Sequence, residues 1–76
     1  MPTLKDFGGF RIVMFHNDHN PPHVHVLTRD QRGATVAIRD GRILAGALPP
    51  AVRSKALAWI TANRAPLLSR WNKMIV

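Results

Sequence analysis

The stretch Phe10-Arg11-Ile12-Val13-Met14-Phe15-His16-Asn17-Asp18-His19-Asn20-Pro21-Pro22-His23-Val24-His25-Val26-Leu27-Thr28 decides the fold. Its first part, residues 10–16, is dense in aromatic and β-branched side chains and predicts a strand. Residues 17–22 are a turn signal: Asn and Asp bond their own backbone, and proline presets the chain direction. His23 to Thr28 alternates polar and β-branched residues, which predicts a second strand over 22–28. Working outward, residues 29–33 read as a polar loop and 34–39 as a third strand. Asp40-Gly41 reads as a two-residue hairpin turn, since such turns need positive φ, and 42–45 as a short fourth strand. Pro49-Pro50 ends the sheet, and proline is well tolerated where a helix begins. Val52, Ala56, Trp59, Ile60 and Asn63 then recur at helical spacing, predicting a helix over 50–63 that Asn63 can close. A second helix over 66–75 carries Leu67, Leu68, Trp71, Met74 and Ile75 on one stripe. The expectation is a single α+β domain spanning residues 1–76: an antiparallel three- to four-stranded meander followed by two C-terminal helices packed on one face.

Register follows from asking which pairings bring apolar residues together. Pairing Phe15 with Val24 sets Val13 opposite Val26. Pairing Val26 with Val36 sets Val24 opposite Ile38, and the turn sets Ile38 opposite Ile43. Val13, Phe15, Val24, Val26, Val36, Ile38 and Ile43 then share the face that takes the helices. His16, His23 and His25 fall on the other face, over a floor of Ile12, Met14, Leu27 and Ala37.

With 76 residues and 46% hydrophobic side chains, the chain has the length and composition of one small globular domain. It has no cysteine, so disulfides and thiolate metal sites are excluded and a metal would be held by imidazole and oxygen. No apolar run approaches the roughly 18 residues that span a bilayer, and the N-terminus lacks a signal-like apolar stretch. The expected setting is the cytoplasm, with no membrane partner. The net charge is +7, unevenly spread. All the acids (Asp6, Asp18, Asp30 and Asp40) precede Gly41, whereas Arg42, Arg53, Lys55, Arg64, Arg70 and Lys73 follow it with no acid among them. Such a segment attracts a nucleic acid or an acidic protein, although a basic surface also simply keeps a small protein soluble.

All four histidines lie between His16 and His25. Residues i and i+2 of a strand point the same way, so His23 and His25 can reach one ion. His19 or His16 would add a nitrogen and Asp18 an oxygen, a set suited to Zn or Ni. The same imidazoles, with His23 and His25 as catalytic candidates, could serve as acid and base in metal-free RNA cleavage, with Arg11, Arg29 or Arg39 steadying phosphorane-like charge. The plain alternative is structural: imidazoles bonding across a tight hairpin whose turn Asn17 and Asp18 cap. Trp59 and Trp71 sit on the helical stripes, which reads as core more readily than as base-stacking surface.

The opening Met1-Pro2-Thr3, the strand ending Met14-Phe15 and the run Asn17-Asp18-His19-Asn20-Pro21-Pro22-His23-Val24-His25-Val26 resemble the bacterial domain of unknown function 4160. The resemblance continues through Gly46 to Pro50 and the Trp59 to Trp71 run, covering nearly the whole chain. The family pattern carries Asn17, Asp18, Pro21, Pro22, His23 and His25, while the position of His16 is commonly aromatic in it. The family brings no established activity. It implies, by association only, small operon-paired proteins of the toxin–antitoxin kind, with a cognate small protein, RNA or DNA as partner. The expected function is therefore a basic binding module. A histidine-hairpin metal protein or ribonuclease using His19, His23 and His25 is the alternative, and an exposed edge strand would also suit a homodimer.

Overall fold

The computed structural model describes residues 3–15, 21–30 and 32–74, with side chains to Lys73. Five strands run in chain order: β1 (Thr3–Asp6), β2 (Phe10–Val13), β3 (His23–Thr28), β4 (Gly33–Ala37) and β5 (Ile43–Gly46). They form one antiparallel meander in the order β1-β2-β3-β4-β5, followed by helices α1 (Pro50–Ala62) and α2 (Arg64–Met74). The α+β meander-and-two-helices architecture expected from the sequence is the architecture observed. The strand that was not expected is β1, because Thr-Leu-Lys-Asp is too short and polar to alternate visibly. It is turned onto β2 by a Phe7 N–H donating to the Phe10 carbonyl at 2.8 Å. The Asp6 carboxylate accepts the Gly8 N–H at 2.8 Å, and the Phe7 and Phe10 rings stack at 4.5 Å.

The register of β2 corrects the sequence reading. Ile12 pairs with Val26 and Val13 with His25, one residue from the expected Val13–Val26 pair. A one-residue slip exchanges the two faces of a strand. Phe10, Ile12 and Met14 therefore join the helix-roofed core, and Val13 turns to the histidine face. The reason is Arg11. Both alternating sets of this strand are apolar, but the set with Val13 and Phe15 also contains Arg11, whose charge would be buried under the helices at high cost. Arg11 stays half-buried on the other face.

The remaining pairings shift without changing faces. Val24 lies opposite Val36 and Val26 opposite Ala34, two residues from the expected register. Val36, not Ile38, meets Ile43, because the hairpin loop is longer than Asp40-Gly41. The Gly41 N–H donates to the Ala37 carbonyl at 2.9 Å and the Ala37 N–H to the Arg42 carbonyl at 2.8 Å. Gly41 does adopt the expected positive φ, 72°. Ile38 leaves the strand yet remains fully buried, its N–H bonded to the Pro22 carbonyl at 3.0 Å.

Pro50 begins α1, and Asn63 closes it as expected: its side-chain amide and backbone N–H both donate to the Trp59 carbonyl, at 2.9 and 3.0 Å. The Asn63 carbonyl also accepts the Leu67 N–H at 3.0 Å, so one residue ends α1 and opens α2. The second helix starts at Arg64, ahead of Pro66, which sits in the first turn where an N–H has no helical partner. Ala56 and Ile60 of α1, with Leu67 and Trp71 of α2, close over the inner sheet face, and Leu4, Ile43, Leu48, Val52, Leu57, Trp59 and Leu68 pack around them. Among the described residues, no helix is long and apolar enough to cross a membrane.

Candidate functional site

The face of the sheet away from the helices carries the imidazoles. Across it, Val13, His25 and Thr35 lie side by side, flanked by the Arg11–Leu27 pair and the His23–Ala37 pair. His23 and His25 share this face, as their spacing in a strand requires. Their ring centroids are 5.2 Å apart at 70°. The ring of Phe15, two residues past the end of β2, stands edge-on to His25 at 4.6 Å. The floor under the pair is Val13, Leu27 and Ala37. Ile12 and Met14, expected there, lie in the core on the opposite side.

His23 is the more enclosed of the two, 7% exposed, whereas His25 is half-buried. The His23 ring lies 4.9 Å from that of Trp71, at the rim where α2 meets the end of β3. Its Nδ1 is 2.7 Å from the Pro21 carbonyl oxygen. A carbonyl only accepts, so that contact is a hydrogen bond when Nδ1 carries the proton, which places the lone pair of the neutral ring on Nε2. Pro21 thus supplies the carbonyl that meets the imidazole. His25 opens onto a shallow groove that Leu27, Thr35 and Ala45 also line. Arg11, opposite Leu27, stands on the same face as His25.

His16, Asn17, Asp18 and His19 lie outside the described residues. Among the described residues, no group of three or more metal-ligating side chains comes together; the pair that does meet is His23 and His25. Such a pair, with one ring oriented by a carbonyl, can hold part of a cation's coordination shell or move a proton.

The basic residues after Gly41 form a second candidate surface. Arg42, Arg53, Lys55, Arg70 and Lys73 are exposed. Arg64 differs: it is half-buried, and its Nε donates to the Ile38 carbonyl at 2.7 Å, tying the helix junction to the β4–β5 loop. Among the described residues the one ion pair is Arg32 with Asp30, at 3.7 Å, so the helical cations stand unneutralised. Arg70 and Lys73 share the outward side of α2 with Pro66 and Ser69, lining a shallow groove. Trp71 is buried in the core and Trp59 half-buried against it, so neither presents an open ring for stacking.

One polar cluster escaped the sequence reading. In the β3–β4 turn, the Thr28 hydroxyl and the Arg32 N–H both donate to the Asp30 carboxylate. Those bonds, the Thr28 one foremost, hold the Asp30 carboxyl below its ordinary range. The signal was present as Thr-x-Asp-x-Arg in a loop, a spacing that lets Asp bond the backbone two residues on.

An antiparallel meander roofed on one side by two helices, with paired imidazoles on the other, defines a small α+β domain with a histidine hairpin. The chain belongs to the family described as Domain of unknown function (DUF4160), which matches residues 9–72, from the start of β2 to near the end of α2. No curated protein and no solved structure matches the chain.

Proposed function

We propose that the protein is a cytoplasmic binding module, one component of an operon-paired system of the toxin–antitoxin kind, which contacts nucleic acid or a cognate protein through its basic half. The observation that carries this reading is the set of exposed, unneutralised cations on and before the helices, in a segment without acids. Cations held on a rigid helix face attract a polyanion over a Debye length and release counterions on contact. A gel-shift series in salt tests it. Single-stranded RNA should be retarded at low salt, and log K should fall with log salt by about 0.7 per phosphate contacted. Replacing Arg70 and Lys73 together by alanine should flatten that slope by roughly 1.4, two contacts' worth. A protein that retards neither RNA nor DNA at low salt and captures no cognate protein would not be this module.

A second reading has its own observation, the His23–His25 pair with His23 fixed by the Pro21 carbonyl. It makes the hairpin a Zn or Ni site, or the acid–base pair of a metal-free ribonuclease. Metal analysis of protein purified without a histidine tag, and the melting temperature with added Zn²⁺ or Ni²⁺, test the first form. Equal RNA degradation by wild type and His23→Ala would rule out the second.

A further inference from the structure

The two outer strands of the sheet are not alike. Among the described residues each pairs on one side only, so each presents backbone N–H and C=O groups that another strand could complete. Each is also interrupted once in register, by an extra residue at Leu4 in β1 and at Leu44 in β5. They differ in charge. Lys5 and Asp6 guard β1, which is how soluble proteins discourage edge pairing. By contrast, β5 is Ile-Leu-Ala-Gly, and the uncharged run continues through Ala47 and Leu48. Ala45, Gly46 and Ala47 are exposed, and Ile43, Leu44 and Leu48 half-buried.

A groove accompanies this edge. Its lining starts at Leu48, two residues past β5, and includes Arg53, Ser54 and Leu57 of α1. The Leu57 side chain lies 3.2 Å from where a Cβ on Gly41 would stand, two residues ahead of β5. Leu57 thus brings α1 close to the chain just before β5, while Leu48 joins the groove just after it. Leu48 and Leu57 offer it apolar surface, and Arg53, one turn before Leu57, adds a cation to its lining.

From these features we infer that β5 is the docking edge for an acidic polypeptide strand, which extends the sheet and sets a carboxylate against Arg53. This deepens the proposed binding reading and rests on it. Strand addition supplies alternating donors and acceptors for the open edge, and alternate side chains of the added strand enter the groove. Nucleic acid suits Arg53 but not the edge, because it lacks the alternating, strand-spaced N–H donors and carbonyl acceptors that an open strand edge matches. A second copy suits the edge but not the charge: it would bring two acid-free segments together, with Arg42 and Arg53 on each. Asp40, the acid nearest β5 in sequence, already accepts the Arg42 N–H at 3.0 Å.

The test is a titration of the isotope-labelled full chain, followed by backbone amide resonances. The probes are a capped hexapeptide alternating valine and glutamate, its lysine-for-glutamate counterpart, and the glutamate peptide N-methylated at alternate backbone nitrogens. The glutamate peptide should shift the amides of β5, with the lysine and N-methylated forms at least tenfold weaker. Arg53→Glu should weaken the glutamate peptide at least tenfold and strengthen the lysine peptide, a reversal that a misfolded variant cannot give. Equal binding of both peptides, β5 amides that respond to RNA alone, or a dimer by light scattering that broadens those amides without peptide would each overturn the inference. RNA retardation by a chain that ignores the peptides would sink the edge and leave the broader binding reading standing.

Discussion

Gly33 sits where two backbones nearly touch. A Cβ at that position would come 1.9 Å from the Val26 carbonyl oxygen, and one on Gly46 would come 2.2 Å from the carbonyl oxygen of Gly33. Strands β3, β4 and β5 therefore approach one another through two glycines, the second also at a φ of 78° that a side chain resists. Overpacking of this kind costs about 1–3 kcal/mol. Gly33→Ala should lower the urea midpoint accordingly with an unchanged m-value, whereas Gly9→Ala, which meets nothing within 4 Å, should be close to neutral. Equal midpoints for the two variants would contradict the close approach. None of this was legible in the sequence, where Gly33 merely ended a polar loop, because the clash arises between residues whose pairing depends on the fold. The histidine pair was legible, since i and i+2 in a strand share a face whatever the register.

At the scale of elements, strand identity was readable and strand facing was not. Counting apolar residues gave β2 two nearly equivalent faces, Phe10-Ile12-Met14 and Val13-Phe15, and the single charge of Arg11 separated them. That preference predicts an asymmetry. Ile12→Lys buries a charge among the core residues and should unfold the domain, with a loss of several kcal/mol. Arg11→Val, on the other face where Arg11 is half-buried, should cost far less, within about 1 kcal/mol. Thermal melts of the two variants check this, and a stable Ile12→Lys chain would restore the register first expected. The β3–β4 turn carries the pH dependence. The Asp30 carboxyl is held below its ordinary value of 3.8 by hydrogen bonds that favour its charged form. Its contribution is therefore fully present above the unfolded value and fades as pH falls through the lower folded one. Wild type and Asp30→Asn should differ most near neutrality and converge in acid, by a small amount since the turn is open to water. Melting temperatures of the pair across pH 2 to 7 would show a constant gap if these bonds did nothing.

For the whole molecule, the deciding comparison is between its size and the reach of its charge. The net charge is +7, the radius of gyration 11.3 Å and the longest extent 32 Å. In 0.01 M salt the Debye length is about 30 Å, so every cation on the helices feels every other; in 0.15 M it is about 8 Å, less than the molecular radius. The lopsided charge was visible in the sequence. What it could not show was that five of the six cations after Gly41 stay exposed while Arg64 is drawn inward to the Ile38 carbonyl. Self-repulsion among the exposed ones works against the compact state. Raising NaCl from 0.01 to 0.15 M should therefore raise the melting temperature. A relief of about 1 kcal/mol corresponds to a rise of about 4–8 °C in a domain of this size. The variant in which Arg70 and Lys73 are both glutamine lowers the net charge from +7 by two, to +5, and should show a smaller rise and a higher melting temperature in low salt. A short acidic peptide should reproduce in low salt what NaCl does, to the extent that it binds the folded surface more tightly than the unfolded chain. A melting temperature indifferent to salt in wild type, or an equal rise in the doubly substituted chain, would mean that these cations do not repel one another across the helices. The attraction for an anionic partner would then lose its physical basis.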